Sequence, residues 1–236
     1  MIKHCFVVTS AVNSKFGIYN SEERLTQTVI TLQNIRFRIP DAKIFVMECA
    51  GTALTEAQST VIEQNCDLLL DFSQDPDVQA IYQSDNWDVV KNSTEIMCFG
   101  RTLRMCQDDG DFVGIDRIHK MSGRYILNDD FNLSVYEKNL NQIIIGPKHR
   151  SQFPFEVTGI ELQYMARLWS WPATQNELVI KVYEDSLAYI GQRVSQGGYA
   201  DIEHVLYKFL PQELVREFPV LGVEGFIAPN GVPIKN

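Results

Sequence analysis

The run Asn128-Asp129-Asp130 is the most prominent set of chemically competent side chains in the sequence. It follows a short predicted strand over residues 124–127. Adjacent carboxylates at the end of a buried strand repel one another, and burial costs them solvation. A divalent cation prefers oxygen ligands and would relieve both penalties, so the run predicts a metal or ligand site. The alternative is an ordinary turn, because Asn and Asp are common turn residues.

Basic side chains precede the same predicted strand. Lys120 and Arg124 flank Gly123, and a glycine allows a backbone to approach a ligand closely. Lysine and arginine can both pair with a diphosphate, so this group predicts a phosphate-binding element. The alternative is that the two cations only form ion pairs with the acidic residues nearby, which contributes little at a surface.

Polar side chains also follow the other strands predicted in the first half. They are Thr9, Ser10 and Asn13 after the first strand, Glu48 after the second, and Asp71 and Ser73 after the third. In an open α/β sheet, ligands bind outside the carboxyl ends of the strands. A rim of this composition suits the ribose hydroxyls and base edge of a nucleoside, and it also suits a hard divalent cation.

The elements that must position these residues alternate between strand and helix. Short apolar runs predict buried strands over 5–9, 43–48 and 67–72. Helices are predicted from residue 20 to 39, from 55, and from 87 to 106, the first two beginning with capping boxes. A short helix is predicted over 116–121. This alternation predicts an α/β fold with a mostly parallel central sheet flanked by helices.

Beyond about residue 130 the pattern changes to a small mixed α+β C-terminal part. Strands are predicted over 142–146 and 161–169, with a long helix from a capping box at 174–177 to 194 and a last helix from 201 to 211. The tail, 218–236, is expected to be ordered but irregular. We expect a single domain over 1–236, made of a nucleotide-binding half, 1–130, and an acceptor-binding half, 131–236.

Composition restricts the classes of function. The 236 residues carry a net charge of −9, which disfavours binding to nucleic acid or to an anionic membrane. No apolar run is long enough for a membrane span or a signal peptide, so a cytoplasmic location is expected. The five cysteines show no C-x-x-C spacing and are expected to be reduced thiols. Trp169 and Trp171 would suit stacking on a sugar ring, or they belong to the core.

The run Lys120-Met-Ser-Gly-Arg-Tyr-Ile-Leu-Asn-Asp-Asp130 resembles the segment leading into the DxD motif of nucleotide-sugar glycosyltransferases with the GT-A fold. The strand over 6–9, the loop over 10–19 and the helix containing Arg24 are similar to the nucleoside-binding start of that family. Lys-x-Ser-Gly-Arg-Tyr also resembles an element of glycosyltransferase-like proteins from bacterial surface-polysaccharide pathways and from phages. The resemblance covers about residues 1–135. It departs from the family at Asn128, which replaces the usual first aspartate, so metal affinity would be weaker or metal would not be needed.

The resemblance implies a Rossmann-like GT-A fold and transfer of a sugar from a nucleotide diphosphate to an acceptor hydroxyl, in glycan or surface-polysaccharide synthesis. The implied partners are a nucleotide-sugar donor, a carbohydrate-type acceptor and a divalent cation, Mn²⁺ or Mg²⁺. The implied metal ligands are Asn128, Asp129, Asp130 and His204. The implied catalytic base is Glu203 or Asp201, although Asp201 is equally suited to be a helix N-cap. The predicted donor-binding residues are Thr9, Ser10, Asn13, Arg24, Glu48, Lys120, Gly123 and Arg124.

Two other classes remain open at this point. One is a nucleotidyltransferase on a similar sheet, which would normally have a Gly-rich basic loop after the first strand. The loop over 10–17 has one glycine and one lysine. The other is a non-catalytic GT-A-like binding protein, which the amide at Asn128 and the lack of an obvious base would allow.

Overall fold

The structure is a computed structural model that describes residues 2–227 and 231–235. The strands are β1 (His4–Ser10), β2 (Lys43–Glu48), β3 (Leu68–Asp71), β4 (Arg117–Ser122), β5 (Tyr125–Leu127), β6 (Ile143–Ile145), β7 (His149–Arg150), β8 (Leu162–Gln163), β9 (Leu168–Pro172), β10 (Val215–Glu217), β11 (Val223–Phe226) and β12 (Pro233–Lys235). The helices are α1 (Ser21–Arg38), α2 (Glu56–Glu63), α3 (Pro76–Tyr82), α4 (Trp87–Asp108), α5 (Leu133–Glu137), α6 (Phe155–Thr158), α7 (Asn176–Ser195) and α8 (Ile202–Phe209).

A seven-stranded sheet in the order β10-β6-β9-β4-β1-β2-β3 forms the centre of the molecule. β4, β1, β2 and β3 are mutually parallel, β10 is parallel to β6, and β9 runs antiparallel to both β4 and β6. A three-stranded antiparallel sheet, β12-β11-β5, and the pair β7-β8 complete the strand pairing. The predicted α/β architecture, with a mostly parallel sheet and a mixed C-terminal part, is confirmed.

Apolar side chains cover both faces of the central sheet, as continuous apolar strands require. On one face, Val7 of β1 packs in a core with side chains of α4 and α7 such as Phe99 and Val179. On the other face, Phe6 and Val8 pack with side chains of α1 such as Leu32. α1 begins at the predicted capping box, in which Asn20 and Glu23 each accept the other's backbone N–H.

β4 corrects the prediction of a short helix over 116–121. The strand reads Arg-Ile-His-Lys-Met-Ser, and its charged side chains made it look unlike a buried strand. Arg117, His119 and Lys120 are nevertheless at most 1% exposed. Each has polar partners inside the fold: Arg117 donates to Ser170 Oγ at 2.7 Å, and His119 Nε2 lies 2.9 Å from His4 Nδ1. Those partners offset the cost of burying polar groups and allow the strand to occupy the centre of the sheet.

β5 also differs from the prediction. The strand over 125–127 pairs with β11 in the small antiparallel sheet and is not part of the central sheet. The rim at the carboxyl ends of the central strands is therefore formed after β4, at Ser122 and Gly123, because β4 is the neighbour of β1. The acidic run follows β5 and lies outside that rim.

Further differences concern helix starts and the tail. A 3-10 turn, Ala173–Gln175, precedes α7, and the predicted capping box there is not formed. The polar stretch after β3 contains α3, whose N-cap is Asp75. The tail over 218–236 contains β11 and β12, so the expectation of an irregular segment is wrong for its described part. The five cysteines, all within the described residues, are free thiols. No helix of the described part combines the length and apolarity needed to cross a bilayer.

Candidate functional site

Two adjoining cavities open where the carboxyl ends of β1 and β4 meet. The first, here called the aromatic cavity, has a volume of about 60 Å³ and is lined by Phe16, Tyr82 and Trp87, together with Arg24. The second, here called the basic cavity, has a volume of about 120 Å³. Its charged lining residues are Lys91, Glu95, Lys120, Arg124, Arg167 and Glu203. Lys91, Glu95 and Arg124 line both cavities, so the two form one continuous site.

The turn between β4 and β5 fixes the position of Arg124. Gly123 N donates to Thr9 O at 2.8 Å, which joins the turn to the end of β1. A Cβ at Gly123 would lie 3.0 Å from Thr9 O and 3.2 Å from Thr28 Oγ1, so a side chain would crowd both atoms. The glycine therefore allows the close approach that brings Arg124 to the mouth of both cavities.

Lys120 is held rigidly in the wall of the basic cavity. Its ammonium group is buried and donates to Glu95 Oε1 at 2.9 Å, to Ser122 Oγ at 2.8 Å and to Ala166 O at 2.9 Å. These three acceptors use the three donors of the ammonium. Burial acts to raise the pKa of Glu95, but the charge and hydrogen bond of Lys120 outweigh burial and lower that pKa. The pair is therefore ionised, and Glu95 also accepts from Thr9 Oγ1 at 3.3 Å.

The remaining cations of the basic cavity have no such partners. Within the described residues, the structure gives the side chains of Lys91, Arg124 and Arg167 no hydrogen bond and no ion pair. Arg124 Nε is buried without an acceptor. The guanidinium groups of Arg124 and Arg167 lie 6.0 Å and 5.8 Å from the centre of the Tyr125 ring, which orients them by cation–π contact. Three basic groups are thus available to an anionic ligand.

Glu203 brings a carboxyl group to the same cavity. Burial, and to a smaller extent the neighbouring Asp201 carboxylate, raise its pKa to about 7 against the opposing effect of Lys91. A carboxyl group with a pKa near neutrality exchanges protons readily under physiological conditions. Of the two predicted catalytic residues, Glu203 lines the basic cavity and Asp201 does not.

Asp201 has a structural role at the start of α8. Its carboxylate accepts the backbone N–H of His204 at 3.1 Å and pairs with His204 Nδ1 at 2.5 Å, so it is the N-cap of the helix. His204 is buried, and its other ring nitrogen, Nε2, lies 2.8 Å from Ser151 Oγ. Both nitrogens of His204 are thus engaged within the protein.

Two more of the predicted donor-binding residues shape the loop over 11–19. Glu48 is fully buried, and both its oxygens lie 3.1 Å from the N–H of Val12, while Oε1 also accepts from Ala50 N. Burial raises the pKa of Glu48 to about 7. Arg24 donates to the carbonyl groups of Tyr19, Ala11 and Phe16. The loop backbone is therefore held by side chains of the protein, and Arg24 also lines the aromatic cavity.

Ser10 and Asn13, two other polar residues of the predicted rim, are engaged in internal contacts. Ser10 Oγ lies 3.3 Å from Thr28 Oγ1, which connects β1 to α1. The amide of Asn13 exchanges hydrogen bonds with Gln58 and also donates to Ala53 O at 2.7 Å. These contacts fix the framework of the site without lining either cavity.

The predicted metal ligands are not brought together. Asn128 donates to Glu224 Oε2 at 3.2 Å, Asp129 pairs with Arg38 at 2.6 Å, and Asp130 pairs with Lys235 at 3.1 Å. The run follows β5, and none of its three residues lines the aromatic or the basic cavity. Residues 2–227 and 231–235 contain no group of three or more His, Cys, Asp and Glu side chains that could hold a metal ion. The residues present do not fit the divalent cation that the resemblance implied.

Several functional candidates were not found from the sequence. Lys91 and Glu95 lie one turn apart on α4, a spacing that also occurs on any solvated helix face. Arg167 precedes β9, and the aromatic side chains come from the loop, α3 and α4, with no common motif. Trp169 and Trp171 are fully buried in the core, so the core alternative is confirmed for both.

The fold that carries this site, a mostly parallel seven-stranded sheet with flanking helices, is of the GT-A type known from glycosyltransferases. The chain is similar to the solved structure of the galactosyltransferase LgtC in complex with donor and acceptor sugar analogs. That match has a TM-score of 0.50 and 12% identity, and it covers 87% of this chain and 70% of the other.

The chain is also similar to core-mannan synthase A (CmsA/Ktr4) from Aspergillus fumigatus in an Mn/GDP form. This match has a TM-score of 0.49 and 7% identity, and it covers 96% of this chain and 76% of the other. No protein-family model and no curated protein sequence matches the chain. The likeness to solved structures establishes the fold, and function has to be argued from the site.

Proposed function

We propose that the protein is a glycosyltransferase that moves a sugar from a nucleoside-diphosphate donor to an acceptor hydroxyl, for example in glycan or surface-polysaccharide synthesis. The observation that carries the proposal is the continuous site at the ends of β1 and β4. There an aromatic cavity adjoins a cavity that contains a carboxyl group whose pKa is about 7 and three basic side chains without a hydrogen bond or ion pair to any described residue. Aromatic rings suit a nucleobase, cations suit a diphosphate, and a carboxyl group suits proton transfer.

The aromatic cavity would take the nucleoside. Phe16 and Trp87 are in edge contact, with their ring centres 5.7 Å apart, and Tyr82 lines the same cavity. Rings held in this way offer a stacking face for a base at low entropic cost. Lys91 and Arg124 line both cavities, so a diphosphate attached to that nucleoside would lie against them and would direct its sugar into the basic cavity.

The chemical step would be a displacement at the anomeric carbon. The acceptor oxygen forms a bond to that carbon while the bond from the carbon to the diphosphate oxygen breaks, and the electron pair leaves with the diphosphate. Glu203 takes the proton of the acceptor hydroxyl, and a single displacement of this kind inverts the anomeric configuration. Lys91, Arg124 and Arg167 stabilise the negative charge that develops on the leaving diphosphate, which is where fixed positive charge is most effective.

The geometry of the first loop favours this proposal over a nucleotidyltransferase. That alternative would need backbone N–H groups of the loop after β1 to bind phosphates. The N–H of Val12 is instead bound by both carboxylate oxygens of Glu48, and Arg24 binds three carbonyl groups of the same loop. The basic side chains without a hydrogen bond or ion pair to the described residues are Lys91 on α4, Arg124 after β4 and Arg167 before β9.

The test is a transfer assay that supplies UDP-, GDP- and dTDP-sugars with a mixture of simple glycoside acceptors and measures release of the nucleoside diphosphate. Glu203→Gln should lower the rate by about 10²- to 10⁴-fold, as expected for loss of a general base, with donor affinity nearly unchanged. Glu63→Gln is the matched control, because Glu63 is exposed near the end of α2. Equal rates for the two variants would rule out Glu203 as the base, and absence of turnover with every donor would contradict the proposed function.

A further inference from the structure

We infer that the basic cavity binds the donor diphosphate directly through Lys91, Arg124 and Arg167, without a divalent cation. This inference rests on the proposed function and specifies how its donor is held. It also departs from the metal that the resemblance to GT-A enzymes implied.

The charge balance at the site supports direct binding. Among the described residues, five basic side chains line the two cavities. The acidic side chains that line them are Glu95 and Glu203. The chain as a whole has a net charge of −9, so this concentration of positive charge runs against its composition. Within the described residues, the side chains of three of the five cations form no hydrogen bond and no ion pair, and like charges held near one another repel. A diphosphate would relieve that repulsion.

The position of Lys120 argues against a metal ion in the same place. Its ammonium group is fixed in the wall of the cavity, and it occupies Glu95 Oε1 at 2.9 Å. A divalent cation bound beside it would face like-charge repulsion and would have to compete for that carboxylate. Two carboxyl groups line the basic cavity, and the described residues contain no group of three or more His, Cys, Asp and Glu side chains that could hold a metal ion.

The geometry of Arg124 and Arg167 suits a diphosphate. The Gly123 turn fixes the backbone before Arg124, and the ring of Tyr125 lies against both guanidinium groups. Arg124 Nε is buried and has no acceptor among the residues that the structure describes, which is a cost that a ligand oxygen would remove. A guanidinium group can bind two phosphate oxygens at once. Because both guanidinium groups are already oriented, they would lose little conformational entropy when a diphosphate binds.

The experiment is titration calorimetry of the full chain with inorganic pyrophosphate, UDP and GDP, in EDTA and again with excess Mn²⁺. The expected result is that at least one of the nucleoside diphosphates binds in EDTA, that Mn²⁺ tightens its binding by less than about threefold, and that added salt weakens it. Binding that appears only with Mn²⁺ would overturn this inference and leave the proposed function standing. Absence of binding in both conditions would overturn both.

Matched variants locate the binding site. Lys91→Ala and Arg124→Ala should each weaken binding in EDTA by roughly 10- to 100-fold, the usual loss for a hydrogen bond to a charged group. Lys138→Ala removes one positive charge from an exposed position on the border of α5 and should leave the affinity unchanged. Equal affinities for Lys91→Ala, Arg124→Ala and Lys138→Ala would show that the diphosphate binds elsewhere and would refute the inference. Lys91 and Arg124 are both partly exposed, and their side chains form no hydrogen bond or ion pair with the described residues, so these variants should fold.

Discussion

Replacing Lys120 by Met tests the assignment of an ionised Lys120–Glu95 pair in the wall of the basic cavity. Methionine keeps most of the volume and removes the charge. The side chains of the pair are 1% and 18% exposed, so the change leaves the Glu95 carboxylate almost buried and without its cation. Breaking a buried pair from one side costs about 3–5 kcal/mol, a large part of the stability of a typical domain.

The cost should depend on pH, with a definite sign. In the wild type the pKa of Glu95 is lowered by Lys120, so the pair contributes stability above the unfolded-state pKa of a glutamate and loses it as the pH falls through the lower folded-state pKa. Without Lys120, burial dominates and raises the pKa of Glu95. The carboxyl group of the variant then takes up a proton at a higher pH, and the stability deficit should be smaller at pH 5 than at pH 8.

The assay is urea unfolding of wild type and Lys120→Met at pH 5 and pH 8. The double variant Lys120→Met/Glu95→Gln is measured alongside, because a neutral amide at position 95 removes the unpaired charge and should recover part of the loss. It also provides a folded reference if the single variant does not fold. A loss below about 1 kcal/mol that is the same at both pH values would refute an ionised buried pair at this position.

Three further outcomes follow from the site. Because the pKa of Glu203 is about 7, the transfer rate should rise as the pH increases through 7, and a pH–rate profile without that limb would contradict a basic role for this group. Gly123→Ala should lower the free energy of unfolding by about 1–3 kcal/mol, because its Cβ would crowd Thr9 O at 3.0 Å; an unchanged denaturant midpoint would show that the turn can relax. Trp87→Ala should weaken binding of UDP or GDP by about 1–3 kcal/mol in calorimetry and leave binding of pyrophosphate unaffected, whereas equal losses for both ligands would contradict stacking in the aromatic cavity.

The alternation of apolar runs with capped helices was enough to predict the central sheet and its flanking helices. Local rules govern such elements, since buried parallel strands are continuously apolar and helix starts carry their own hydrogen-bonding side chains. Asn20 with Glu23, and Thr55 with Gln58, form the predicted capping boxes. These features are decided by residues close together in the chain.

β4 was mispredicted for a different physical reason. Its charged side chains are buried, and the groups that satisfy them come from distant parts of the chain, such as Glu95 and Ala166 for Lys120. Sequence alone does not show which partners will be present, so the strand resembled a polar helix. Because of that error, the acidic run after β5 was predicted to lie at the rim of the central sheet, whereas Ser122 at the end of β4 lies there.

The candidate site was predicted only in part. Thr9, Lys120, Gly123, Arg124 and Glu203 do converge at the ends of β1 and β4. Lys91 and Glu95 of α4 were not predicted as site residues, because their position in the site depends on how that helix packs over the sheet. The metal prediction rested on an acidic run whose partners in the fold are basic side chains, and those contacts join residues far apart in the sequence.

Ligand-induced stabilisation provides the most direct measurement of the central claim, that a nucleoside-diphosphate sugar binds at the ends of β1 and β4. Thermal unfolding of wild type and Arg124→Ala would be followed with UDP-, GDP-, dTDP- and CMP-sugars in EDTA, since a ligand that binds the native state raises its apparent stability. The account predicts that at least one diphosphate-linked donor raises the unfolding midpoint of the wild type and that Arg124→Ala loses most of this shift. No shift with any donor, or an equal shift in both proteins, would contradict it.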